Sequence, residues 1–279
     1  MLLLPKLVTT AWLAAHLADP HLVILHVGRP DTYGQHIPGA VHTDLTQLSV
    51  NPWPSTDTAS LMVEMLPPEV LRARLESYGI DDHSTIIVYA ADDRAVTSAT
   101  RTVFTLRVAG LGAHAALLDG GLGAWSAEKR PLTDAVPHPA SGHITATPQA
   151  SLVVDAAWVA SHLNKPGIVV VDARNREFYD GRQQSEARRG HIPSAQSLPF
   201  EVMFDTTGKL KSPAEITALF RAVGATPGDT ILAYCHIGMR ATAVIFAADQ
   251  VGYPVRLYDG SFQDWSKRTE YPVVDPSSR

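Results

Sequence analysis

Short apolar runs rich in β-branched residues alternate along this chain with longer segments whose apolar residues recur at helical spacing. Val23–Val27, Ile86–Ala90, Ile168–Val171 and Ile231–Tyr234 predict buried strands of a parallel sheet. Ala95–Ala109 and Arg240–Val251 predict helices, the second closed by Gly252 and Pro254. Pro67–Tyr78 and Ser212–Val223 read as amphipathic helices. The latter opens on Ser212-Pro213-Ala214-Glu215, a capping box with proline at the first helical position. Strand and helix in alternation predict α/β domains built on a mostly parallel sheet.

The pattern occurs twice, with a period of roughly 140–146 residues. Trp12 to Leu17 matches Trp158 to Leu163, and Val23 to Arg29 matches Ile168 to Arg174, which sets Val27 near Asp172. His36-Ile37-Pro38-Gly39-Ala40 matches His191-Ile192-Pro193-Ser194-Ala195, and Ile86 to Ala90 matches Ile231 to Cys235. Leu118-Asp119-Gly120-Gly121 matches Tyr258-Asp259-Gly260-Ser261, with Trp125 against Trp265. Matches in one order along the whole length imply two copies of one domain. The expected division is 1–133 for the first, 134–149 for a proline- and glycine-bearing extended linker, and 150–279 for the second. The first copy holds an extra stretch from Asn51-Pro52-Trp53 to Pro67-Pro68, read as a surface excursion. Val8–Leu17 matches the internal segment Val153–Leu163, so the first residues are expected to be folded structure and not a removed signal.

Composition narrows the function. The 279 residues are 45% hydrophobic and carry a net charge of −5, which leaves no basic footprint for nucleic acid. No stretch is long and apolar enough to span a bilayer. Twelve histidines are scattered without metal-ligand spacing, so no metal and no cofactor are expected. The single cysteine excludes an intrachain disulfide framework and fits a reducing, cytoplasmic compartment, with a periplasmic one as the alternative.

That cysteine, Cys235, ends the apolar run Ile231–Tyr234. A short loop, His236-Ile237-Gly238-Met239-Arg240, separates it from the alanine-rich helical run. A thiol between a strand end and a helix start meets backbone N–H groups and the positive end of the helix dipole, which favour a nucleophilic thiolate. Successive amides curving round one sulfur form an anion nest, and Gly238 lets the loop turn tightly without filling the pocket.

Asp172-Ala173-Arg174, Gly190-His191-Ile192-Pro193, the Cys235 loop and Tyr258-Asp259-Gly260 with Trp265 together resemble the rhodanese family, specifically its tandem-domain sulfurtransferases. The resemblance spans nearly the whole chain. It implies two rhodanese-like α/β domains, each a small mostly parallel sheet flanked by helices, with the catalytic cysteine in the second copy only. Ala90 standing opposite Cys235 fits that pattern. The implied reaction moves a sulfane sulfur from thiosulfate, through a Cys235 persulfide, to cyanide or another thiophile. Arg240 and Arg182 are then expected to bind the anionic donor with His236, Ile237, Gly238 and Met239. Arg188 or Arg189 are substitutes for Arg182, and Asp172 is a supporting residue at the loop's base. The partners are a small-molecule donor and acceptor, with no nucleic acid and no membrane, and the chain is expected to act as a monomer.

His236 after the cysteine departs from the glycine usual in mercaptopyruvate-type members, which favours thiosulfate. A sulfur-carrier or binding role without turnover is a further alternative. A cysteine phosphatase fits poorly, because only four residues separate Cys235 from Arg240.

Overall fold

The computed structural model describes residues 4–51, 57 and 59–278. Its strands are β1 (Leu7–Val8), β2 (Leu22–Val27), β3 (Ala40–Thr43), β4 (Ser49–Val50), β5 (Glu64–Met65), β6 (Thr85–Ala90) and β7 (Ala115–Leu118), then β8 (Val153–Val154), β9 (Ile168–Asp172), β10 (Gln196–Ser197), β11 (Thr230–Tyr234) and β12 (Val255–Tyr258). Its α-helices are α1 (Thr10–His16), α2 (Leu45–Leu48), α3 (Pro68–Ser77), α4 (Val96–Leu106), α5 (Gly121–Ala127), α6 (Ala156–His162), α7 (Arg176–Tyr179), α8 (Pro213–Ala222), α9 (Ala241–Gln250) and α10 (Ser261–Lys267).

Two compact units result. One comprises Met1–Ser49, Met65–Ala150 and Thr206–Lys209; the other comprises Val50–Glu64, Ser151–Asp205 and Leu210–Arg279. Each holds a five-stranded parallel sheet, in the order β1-β7-β6-β2-β3 in the first and β8-β12-β11-β9-β10 in the second. The matching orders are the internal repeat seen as structure. Parallel strands need crossover helices, which cover the sheet faces and explain why the central strands are apolar almost throughout.

The repeated motifs do the same packing work in both units. Tyr33 stacks on His36 with ring centroids 4.0 Å apart, and Tyr179 stacks on His191 at 3.7 Å. The fully buried Trp125 and Trp265 donate their indole N–H to Pro131 O at 2.8 Å and Pro272 O at 2.9 Å. These pairings give two bulky side chains a partner for each polar atom, as burial requires. The capping box at Ser212 is present, and Gly252 at φ 88° closes α9.

The structure adds detail to three of these readings. The helix expected over Ala95–Ala109 is α4, ending at Leu106 in a π turn over Arg107–Leu111 where Gly110 takes φ 92°. The 134–149 segment is extended but held: Glu76 Oε1 accepts from Ile144 N at 2.9 Å, and Asp82 accepts from Thr145 N at 3.0 Å. The excursion does not stay with the first copy, since its described residues 50, 51, 57 and 59–64 group with the second unit. Of the sequences read at these places, Met1–Leu3 and Pro52–Thr56 lie outside the described residues. Among the described residues no helix is long and apolar enough to cross a membrane.

Candidate active site

β11 ends at Tyr234, and the next residue, fully buried, is Cys235. The chain turns through Gly238 at φ 76° and enters α9 at Ala241. The carboxyl ends of strands are where open α/β sheets place chemistry, because loops there meet helix N-termini. Cys235 lines a cavity of about 590 Å³. Its loop contributes His236, Ile237, Met239 and Arg240; α7 and the chain after it contribute Phe178, Ser185 and Glu186; α10 contributes Gln263 and Lys267. Met62 closes another wall. Its amide donates to Gln263 Oε1 at 2.9 Å, and Lys267 Nζ donates to Ala59 O at 3.2 Å, so two α10 side chains tether this stretch inside the second unit.

Beneath the loop lies a chain of alternating charges. Asp172, the last residue of β9, and Arg174 are both fully buried, and the guanidinium reaches Asp172 Oδ2 at 2.6 Å and Gly190 O at 2.7 Å. Tyr234 donates to the same carboxylate at 2.8 Å and accepts from Ile192 N at 3.1 Å. Arg174 also lies 4.0 Å over the Phe262 ring and 3.6 Å from Glu186 Oε2. Glu186 in turn pairs with His236 Nδ1 in the cavity wall. Burial raises the pKa of the Glu186 carboxyl, but His236, Ser185 and Arg174 outweigh it and hold the group below the usual carboxylate range. Burial and the charge of Asp172 push the Tyr234 phenol far up, so it stays a neutral donor.

The expected site residues divide. Cys235, His236, Ile237, Met239 and Arg240 meet at the cavity, where Arg240 also stacks 5.5 Å over Phe200. Gly238 shapes the turn but is not among the lining residues. Asp172 sits below the loop and braces it through Tyr234 and Arg174. Arg182 is not at the cavity: it is 58% exposed and paired with Asp180 at 3.1 Å. Arg188 does not replace it, because its guanidinium is taken up by the carbonyl oxygens of Trp265, Ser266, Arg268 and Tyr271. Arg189 turns to Gln184 at 2.8 Å. Sequence spacing had no means of choosing among these arginines, whose partners lie up to 83 positions away. It also passed over Glu186, Phe178, Gln263 and Met62, which belong to no motif. Among the described residues no cluster of His, Cys, Asp and Glu is placed to hold a metal ion.

The first unit shows the same scaffold without the thiol. Tyr89 accepts from Ile37 N at 3.2 Å, as Tyr234 does from Ile192, and β6 leads into Ala90 where β11 leads into Cys235. Strand register pairs Tyr89 with His26 and Tyr234 with Asp172. His26, and not Val27, is therefore the counterpart of Asp172. Its Nδ1 lies 2.8 Å from Tyr89 Oη and its Nε2 lies 3.0 Å from Thr32 Oγ1. Burial, with the charges of His42 and His36, lowers its pKa to about 3. The folded unit thus keeps His26 neutral, whereas the unfolded chain protonates it near pH 6.5. Its contribution is full above that pH and falls by up to about 1.4 kcal/mol per pH unit below it. Urea unfolding at pH 7, 5.5 and 4.5 is expected to show this loss in the first unit, with a shallower slope in His26→Gln. An equal slope in the variant rejects the assignment.

Comparison with known proteins gives a consistent neighbourhood. The rhodanese-like domain family model matches residues 9–128 and 155–268. The probable 3-mercaptopyruvate sulfurtransferase of Pseudomonas aeruginosa is 32% identical, over 96% of this chain and 98% of its own. The thiosulfate sulfurtransferase of Azotobacter vinelandii is 29% identical, over 97% of each. Among solved structures, the 3-mercaptopyruvate sulfotransferase SseA from Escherichia coli superposes with a TM-score of 0.79 at 27% identity, covering 92% of this chain and 99% of that one.

Proposed function

This chain belongs to the rhodanese family, and on that premise we propose that it is a sulfurtransferase carrying sulfur from thiosulfate to cyanide or another thiophile on Cys235. The observation that carries the reading is the lone cysteine at a parallel strand's carboxyl end, lining a cavity beside Arg240. The thiolate attacks the outer sulfur of thiosulfate. The S–S bond of the donor breaks, sulfite leaves with the electron pair, and Cys235 holds a persulfide. Cyanide then attacks the terminal sulfur, thiocyanate departs and the thiolate returns. Loop amides and the N-terminus of α9 favour the anionic sulfur at each stage. The first unit has Ala90 in place of the thiol and serves a supporting role.

Arg240 in the cavity wall supports thiosulfate as donor, since a dianion needs a cation beside it. Mercaptopyruvate is the second reading, favoured by the name of the Pseudomonas relative. Steady-state kinetics with each donor and cyanide decide between them, and intact mass after thiosulfate treatment tests both a persulfide and the carrier alternative. No gain of sulfur from thiosulfate or from mercaptopyruvate rejects the transferase reading.

Arg240→Ala is expected to raise the KM for thiosulfate about tenfold, and that for a neutral donor far less. Arg182→Ala is expected to change either by less than about twofold, as for an exposed charge away from the cavity. Equal effects of Arg240→Ala on both donors mean that charge is not what this side chain supplies.

A further inference from the structure

Ser261 opens α10, is fully buried and has φ 52°. That is left-handed backbone, which glycine enters freely and which the Cβ of any other residue makes costly. The matching residue of the first unit is Gly121, at φ 53°. The unit with Ala90 therefore has the residue its backbone favours, and the unit with Cys235 has a side chain that its backbone opposes. Strain of this kind persists where the side chain has a task.

The task is visible in the hydrogen bonds. Ser261 Oγ accepts from Cys235 N at 3.1 Å and donates to Tyr258 O at 2.9 Å. The next two amides, Phe262 N and Gln263 N, donate to Cys235 O and His236 O, each at 3.0 Å. One turn of α10 thus grips the peptide groups on both sides of the thiol, and Ser261 supplies the one grip that is a side chain.

We propose that Ser261 is a positioning residue for Cys235: its Oγ fixes the cysteine backbone so that the sulfur meets its reaction partner at the productive place. The proposal rests on the sulfur-transfer reading and adds a residue to it. Reaction rates are sensitive to sub-ångström placement of a nucleophile, whereas filling a buried amide's hydrogen-bonding need affects stability alone.

Ser261→Gly and Ser261→Ala separate the two roles, because both lose Oγ and only glycine relieves the backbone. Urea midpoints are expected to place the glycine variant above the alanine variant. Single-turnover sulfur loading from thiosulfate, read by intact mass, is expected to slow about tenfold in both alike, with little change in the KM for thiosulfate. Alkylation of Cys235 by iodoacetamide, which needs no sulfur donor, is expected to slow in both as well. The proposal is overturned if Ser261→Gly loads and alkylates at the parent rate, or if the losses follow the stability order so that only Ser261→Ala is impaired. If the parent chain takes up no sulfur at all, the sulfur-transfer reading fails, and the alkylation rates alone decide whether Ser261 positions the thiol.

Discussion

Cys235→Ser is expected to abolish sulfur transfer, by at least about a thousandfold, while leaving the fold in place. Serine has nearly the shape of cysteine, and Cys235 is held by backbone hydrogen bonds that the substitution retains: its amide to Ser261 Oγ and its carbonyl from Phe262 N. What is lost is the polarisable sulfur, since an alkoxide is not available at neutral pH and does not form a persulfide-like carrier. The chain has no second cysteine to take over. The measurement is turnover with thiosulfate and cyanide, together with intact mass after thiosulfate treatment. Persisting turnover, or a sulfur gained by the variant, places the nucleophile elsewhere.

Breaking the buried Asp172–Arg174 pair is expected to have the largest effect on stability. Arg174→Leu leaves the carboxylate of Asp172 in a dry interior, with Tyr234 and the Arg174 amide as its remaining partners. A buried charge that loses its counter-ion costs about 3–5 kcal/mol. Burial works against the guanidinium, yet Asp172, Tyr234 and Glu186 outweigh it and raise its pKa further, so the arginine is held as a cation. Asp172→Leu with Arg174→Leu is expected to recover much of the loss, because removing both charges also removes the desolvation penalty. Urea unfolding of the C-terminal unit reads both variants. If Arg174→Leu costs less than about 1 kcal/mol, the pair is effectively hydrated and does not brace the cysteine loop. Glu186 also loses its 3.6 Å contact with Arg174, so the cavity wall at His236 is expected to loosen and turnover to fall with stability.

Much of the fold was legible because it follows from short-range rules. The four apolar runs became β2, β6, β9 and β11, since a strand covered on both faces has little room for polar residues. Ser212 and Glu215 announced α8, because a capping box satisfies amides within one turn. The repeat gave the two sheets their common strand order. The same alignment was one residue out at the end of β2, where gap-free matching set Val27 against Asp172. The bond from Tyr89 to His26, the analogue of that from Tyr234 to Asp172, corrects it.

The site was legible only in its loop. Cys235 and Arg240 stood out because a strand, a tight turn and a helix follow one another directly in the chain. Arg182 was misplaced because a surface arginine and a pocket arginine look alike until their partners are known, and its partner is Asp180, two residues away. Ser261 was visible opposite Gly121 in a repeated motif, but its positive φ was not.

The sequence by itself determined two α/β domains of one pattern and a single thiol at the end of a strand, since hydrophobic period, capping and chain order are local properties. Tertiary structure alone decided which charges meet that thiol, that Ala59 and Met62 are tethered to Lys267 and Gln263 in the second unit, and that Glu186 and Met62 line the cavity. Those contacts join residues scores of positions apart, and their energies depend on burial and on partners that exist only once the chain has closed on itself.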